Sequence, residues 1–199
     1  MNSVNIVNIV LIFLLCAFVN IHIQHRLDVN TEEFYKTKKT YSRVYDIGFH
    51  FLPNMRHQEW LINIVPTIII GMLLLSTNSQ AIYDCIYYMI IVCIIRIVFI
   101  NTTVLPKDKM CEVPQEVSFT HSVYGFCYDK IFSGHTANAV LTSLILLKYN
   151  IYTNIPVLLT LNVINMLLLV LTRAHYTIDT IIGALVATVI TQHVPVVYI

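Results

Sequence analysis

Apolar residues fall into six runs along the 199-residue chain, at about 4–23, 60–76, 81–105, 136–149, 155–173 and 176–193. Crossing a hydrocarbon core of roughly 30 Å as a helix takes about 20 residues. The fourth run, "TANAVLTSLILLKY", reaches that length only if its helix begins near Phe132 and takes "SGH" as its first turn. The pattern therefore predicts an all-α fold: an integral membrane bundle of six transmembrane helices, forming one membrane domain over residues 1–199. The first run has no basic n-region and is longer than a usual signal-peptide h-region, so it reads as a span rather than a cleaved signal. No repeat, Gly/Ser linker or low-complexity tract interrupts the series.

Composition supports this assignment. Hydrophobic residues make up 57% of the chain and charged residues 12%, with a mean hydropathy of +0.71, far from the balance of a soluble domain. The sizeable polar segments are 24–59 and 106–134, and six spans put both on one face, together with the tight turn at Arg173 and Ala174. The other face keeps "STNSQ" near 78, "KYNIYTN" near 151 and the chain ends. Any chemistry belongs to the first face. A net charge of +1, with no basic patch interleaved with aromatics, excludes nucleic-acid binding.

On that face two short motifs meet. "CYDKIFSGHT" (127–136) leads into the fourth span and "RAHYTIDT" (173–180) opens the sixth. From His135 the chain descends span four and climbs span five, so His175 returns to the depth at which His135 began. His175 and Asp179 are four residues apart, one helical turn, and can hydrogen-bond on one face. Two imidazoles and a carboxylate suit nucleophilic catalysis: His175 attacks, Asp179 orients it, and His135 transfers a proton. Ser133 and Gly134 open a helix whose N–H groups and positive dipole end suit an anion, phosphate above all. Arg96, about ten residues inside span three, is costly in lipid and is expected to face a polar interior or a substrate. Zinc on the two His and Asp179 is an alternative that explains the Ser-Gly less well; no metal and no cofactor are expected. Tyr124, Phe126, Tyr128 and Phe132 could receive a quaternary ammonium group by cation–π contact, or form an interfacial belt.

These residues resemble the sphingomyelin synthase family, a branch of the type 2 phosphatidic acid phosphatase superfamily. The matching positions are Cys127, Asp129, Ser133, Gly134, His135 and Thr136, then His175, Tyr176, Thr177, Ile178 and Asp179. A third block, "RIVFINTTVLP", supplies Arg96, Thr103, Leu105 and Pro106. A looser fourth, "YDIGFHFLP", supplies Asp46 and Phe49. The resemblance runs from span two to span six, with its catalytic motifs in about 96–193. It implies a phosphohistidine on His175 and transfer of a phospho-headgroup from a phospholipid to ceramide, releasing diacylglycerol. The headgroup would be phosphocholine, phosphoethanolamine or phosphoinositol. Arg96, Ser133, Gly134, Asp129, Tyr128 and Tyr176 would bind substrate. Departures are Tyr128 where the family usually has Gly, Lys130 in place of an aromatic, and a shorter loop that sets Cys111 and Cys127 sixteen residues apart.

Competing classes are a lipid phosphate phosphatase and a non-catalytic lipid-binding membrane protein. Partners are membrane lipids, and a homo-oligomer is left open. The location implied is the Golgi, endoplasmic reticulum or plasma membrane. Ten of the twelve Lys and Arg lie on the active-site face, which the positive-inside rule would make cytoplasmic, whereas the resemblance implies a lumenal or exoplasmic site and is preferred. Cys111 and Cys127 would pair if that face meets an oxidising compartment and stay free if it meets cytosol.

Overall fold

The computed structural model describes residues 3–38, 44–103, 105–106, 111, 113, 127–128 and 130–197. They form helices α1 (Ser3–Lys38), α2 (Ile47–Phe51), a 3-10 segment (Arg56–Asn63), α3 (Ile64–Leu75), α4 (Ser79–Thr102), α5 (Gly134–Lys148), α6 (Ile155–Leu171) and α7 (Thr177–His193), with no strand among the described residues. Each of the six apolar runs yields a helix, though the fourth begins at Gly134 rather than near Phe132 and so stops short of the length expected of it. Among the described residues, three helical stretches are long and apolar enough to cross a bilayer, Ile6–Thr37, Arg56–Leu75 and Ser79–Thr102. Helices α6 and α7 have 17 residues each and α5 has 15.

Helix α5 is the central element. It packs on α3, α4, α6 and α7, most extensively on α7, while α1 lies along α4. Small and weakly polar residues make this possible: Ala137, Ala139, Thr142 and Ser143 are all buried in α5. Small side chains bring helix backbones close, the usual basis of helix association in lipid. Gly183 of α7 marks a close backbone approach to α5, since a Cβ there would lie 2.6 Å from the Ser133 carbonyl oxygen. The outer surface is apolar, with Leu11, Leu15, Leu75, Leu159 and Leu185 exposed, whereas Asn162 and Asn165 face inward. That inside-out polarity is what a bilayer requires.

One expectation changes. The segment 24–59 is not a loop throughout: α1 continues as a helix to Lys38, and α2 and the 3-10 segment follow before α3. One side of this polar stretch meets the rest of the protein through buried Gln24, Asp28 and Thr31. At the far end of the bundle, Asp84 is fully buried in α4 and accepts hydrogen bonds from Gln80 (3.0 Å), Lys148 (2.8 Å) and Tyr149 (2.7 Å). A buried charge of this kind persists only when paired and hydrogen-bonded, and the arrangement ties α4 to the end of α5.

Candidate active site

Helix α5 begins at Gly134 because Ser133 caps it: the Ser133 hydroxyl accepts the Thr136 N–H at 3.2 Å, and Ser133 is fully buried. The hydroxyl expected to bind substrate is thus engaged in capping. Gly134 matters by its lack of a side chain, since a Cβ would sit 3.4 Å from Nε of Arg96. Arg96 lies across this first turn and donates from Nε to the Phe132 carbonyl at 3.0 Å. Its place inside the bundle is the polar-interior position expected of an intramembrane Arg.

Helix α7 begins two residues after His175. Two carboxylates hold its start: Asp179 accepts the Tyr176 N–H at 3.0 Å, and Asp46 accepts the Thr177 N–H and hydroxyl, both at 2.8 Å. Negative groups at a helix N-terminus are favoured by its dipole. Asp46 also caps α2 through the Phe49 N–H at 2.9 Å, so the segment before α3 is fastened to the motif. The two motifs are joined directly, since Ser133 N–H donates to the Asp179 carbonyl at 3.1 Å.

The expected His175–Asp179 hydrogen bond does not form. Nδ1 of His175 lies 3.7 Å from Asp179 Oδ2 and 2.9 Å from the Lys130 carbonyl oxygen. A carbonyl can only accept, so Nδ1 carries the proton in that bond, and in the neutral imidazole Nε2 keeps its lone pair. The main chain sets the tautomer and the nearby carboxylate adds charge. Lys130 grips the same segment with its side chain, Nζ donating to the Ala174 carbonyl at 2.7 Å. Lys130 is in turn held through Tyr128, whose carbonyl accepts the Lys130 N–H at 2.9 Å. Asp28 of α1, fully buried, accepts the N–H groups of Cys127 (2.6 Å) and Tyr128 (2.9 Å). A Cys111–Cys127 disulfide secures this strap.

His135 and His175 line one cavity of about 340 Å³ together with Arg96, Gly134, Asn20, Gln24, Asn63 and Asn138. Asn63 Oδ1 stands 3.2 Å from Nε2 of His135. The structure therefore brings His135, His175, Arg96 and Gly134 to one space, with Asp179 immediately behind His175. Tyr128 and Tyr176 do not line it: Tyr128 stacks on Tyr35 at 5.7 Å and donates to Glu32, while Tyr176 stacks on Phe49 at 5.0 Å and donates to the Pro106 carbonyl. Arg173 is also turned aside. It takes a left-handed conformation (φ 58°) after α6 and bonds the carbonyls of Phe49 and Leu52, its guanidinium 4.3 Å over the Phe49 ring. Asp129, Tyr124 and Phe126 lie outside the described residues. No group of three or more His, Cys, Asp or Glu able to hold a metal ion occurs among the described residues.

Sequence reasoning missed Asn20, Gln24, Asn63 and Asn138 as cavity residues, and Asp28 and Asp46 as supports. The signal present was polar side chains inside or beside apolar runs, costly in lipid unless they face a cavity or a partner.

Residues 126–195 match the family described as PAP2 superfamily C-terminal, and this segment holds His135, His175 and Asp179. The match supports the type 2 phosphatidic acid phosphatase superfamily and, with it, an enzyme of phosphatase or phosphotransferase type acting on lipids. Among curated proteins none matches the chain.

Proposed function

We propose that this protein transfers a phospho-headgroup from a phosphodiester lipid to ceramide through a phosphohistidine on His175. The observation that carries the reading is the charge of the cavity. Among the described residues lining it, Arg96 is the one Lys or Arg, while Lys130 and Arg173 bond backbone carbonyls. A phosphomonoester dianion in a partly dry site needs several cations. A choline or ethanolamine diester brings a single negative charge and its own cation. One guanidinium and the dipole end of α5 suit the second substrate better.

In this scheme Nε2 of His175 attacks phosphorus as the bond to the diacylglycerol oxygen breaks, and His135 gives that oxygen a proton. The ceramide hydroxyl then returns a proton to His135 and attacks the phosphohistidine, restoring His175. Protons and electron pairs balance over the two steps without any further reagent. The test compares purified protein on two substrates: phosphate release from phosphatidic acid, and phospho-headgroup ceramide formed from a labelled phosphatidylcholine or phosphatidylethanolamine. Transfer should be the faster reaction. Hydrolysis of phosphatidic acid faster by about tenfold would make the protein a lipid phosphate phosphatase.

The same reading puts the active site on the lumenal or exoplasmic side of a secretory-pathway or plasma membrane. The Cys111–Cys127 disulfide supports it, since such bonds persist in oxidising compartments. In sealed, reduced vesicles of known orientation, an impermeant thiol reagent should label Cys111 and Cys127 from the lumenal or exoplasmic side. Labelling confined to the cytoplasmic side would overturn this orientation and favour the basic-residue bias.

A further inference from the structure

The polar stretch before α3 reads in sequence as a water-facing loop, yet it exposes Tyr45 (75%), Phe51 (74%), Ile47 (59%) and Trp60 (57%). Large apolar and aromatic side chains exposed together mark a contact surface. They continue the lipid-facing surface of the bundle. Ile47 and Phe51 line one groove with Val163 and Leu167 of α6 and Ile181 of α7, and those three are themselves exposed. Trp60 precedes Ile64 and Ile68, exposed on α3, at successive steps of four residues, so it stands at the active-site end of that stripe. His50, Asn54 and His57 are exposed in the same segment. Aromatic rings mixed with polar groups suit the boundary between lipid headgroups and acyl chains.

The segment is also fastened to the second motif. Asp46 accepts the Thr177 N–H and hydroxyl at 2.8 Å, Arg173 donates to the Phe49 and Leu52 carbonyls, and the Met55 N–H donates to the Leu171 carbonyl at 2.8 Å. Phe49 stacks on Tyr176 at 5.0 Å. His175 lies between Leu171 and Thr177 in the chain, so whatever sets the depth of α2 sets the depth of His175. We infer that residues 44–63 are seated in the headgroup boundary of a phospholipid bilayer, anchored by Tyr45, Phe51 and Trp60, and hold His175 at the level of the lipid phosphates. The bilayer is the occupant of this surface, rather than a second copy of the chain, because the patch shares a groove and a stripe with helices that lipid covers. The role concerns membrane depth and is independent of the headgroup and acceptor that the site takes.

Trp60 is the one tryptophan of the chain, so its emission reports this segment alone. In phosphatidylcholine vesicles holding the full-length protein, a lipid brominated near the glycerol end of its chains should quench Trp60 at least about twofold more than one brominated near the methyl end. Acrylamide should quench it at least about fivefold less than free tryptophan. Strong acrylamide quenching without lipid quenching would place the segment in water, and stronger quenching by the deeper bromine would place it in the hydrocarbon. Shielding from both quenchers would mean that protein, such as a second copy, covers it. Each of these three results would overturn the inference, and none of them needs turnover, so the seating is decided even if the transferase reading fails. The depth role is read with Tyr45→Ser and Phe51→Ser together, at positions so exposed that little packing is lost. Turnover of whichever long-chain lipid the protein acts on should fall about fivefold or more in vesicles. Turnover of a short-chain analogue in detergent micelles, where no bilayer sets the depth, should change by less than about twofold. Unchanged turnover in vesicles, or an equal loss in micelles, would overturn the depth role.

Discussion

Replacing His175 with alanine is expected to lower lipid turnover by at least about a thousandfold, because nucleophile and proton-transfer groups act as a unit. His135→Ala should cost nearly as much, and the double variant little more than either single one. The hypothesis rests on the two imidazoles sharing the Arg96 cavity and on the Lys130 carbonyl, 2.9 Å from Nδ1 of His175, which leaves Nε2 as the nucleophile. Two measurements check it. Donor turnover gives the size of the loss. Incubating the unaltered protein with a phosphorus-labelled diester donor and no acceptor should leave an acid-labile, alkali-stable label on the protein that His175→Ala lacks. Turnover above about a tenth of the unaltered rate in His175→Ala would sink the assignment. Asp179 separates into two roles by substitution. Asparagine can still accept the Tyr176 N–H bond seen at 3.0 Å but removes the charge 3.7 Å from the imidazole. Asp179→Asn should therefore lose less activity than Asp179→Ala, which also uncaps α7.

The second large effect is expected far from the motifs in sequence. Asp28→Ala removes the buried acceptor of two backbone N–H groups, those of Cys127 and Tyr128. A hydrogen bond to a charged group is worth about 1.5–3 kcal/mol, so the pair amounts to about 3–6 kcal/mol. For a chain of this size that corresponds to a fall in Tm of at least about 6 °C. Activity should fall as well, since Tyr128 holds Lys130 and the Lys130 carbonyl holds His175. Thermal unfolding in detergent, paired with transfer assays below the transition, would measure both. An unchanged Tm would show that the α1 carboxylate does not brace the strap.

How much of this was legible beforehand follows from the range of each interaction. The helices were visible because long apolar runs in lipid leave the backbone no alternative to internal hydrogen bonding. The start of α5 at Gly134 was close to visible, since a Ser-Gly pair before an apolar run is a capping signal. The placing of His135 and His175 at one depth followed from counting residues down α5 and up α6. These are properties of local composition and chain length, and they fix the class of fold and the pairing of the two histidines.

Tertiary structure decided the rest. The bond that sets the His175 tautomer comes from a backbone carbonyl, and every residue carries one, so nothing in the side-chain pattern marks Lys130 for that role. Asp28 lies about a hundred positions from the N–H groups it binds, and Asp46 even further from Thr177. Neither stands at a helical spacing from its partner. Tyr128, Tyr176 and Arg173 carry the right chemistry for a headgroup or phosphate site but find their partners on Tyr35, Phe49 and Leu52 instead. A sequence states which groups are able to bind, and its periodicity states which helix each one rides on. Which of them face the same cavity is decided by how α1, α5 and α7 cross, and that depends on small-residue contacts such as Gly183 against the Ser133 carbonyl, which act only once the helices have met.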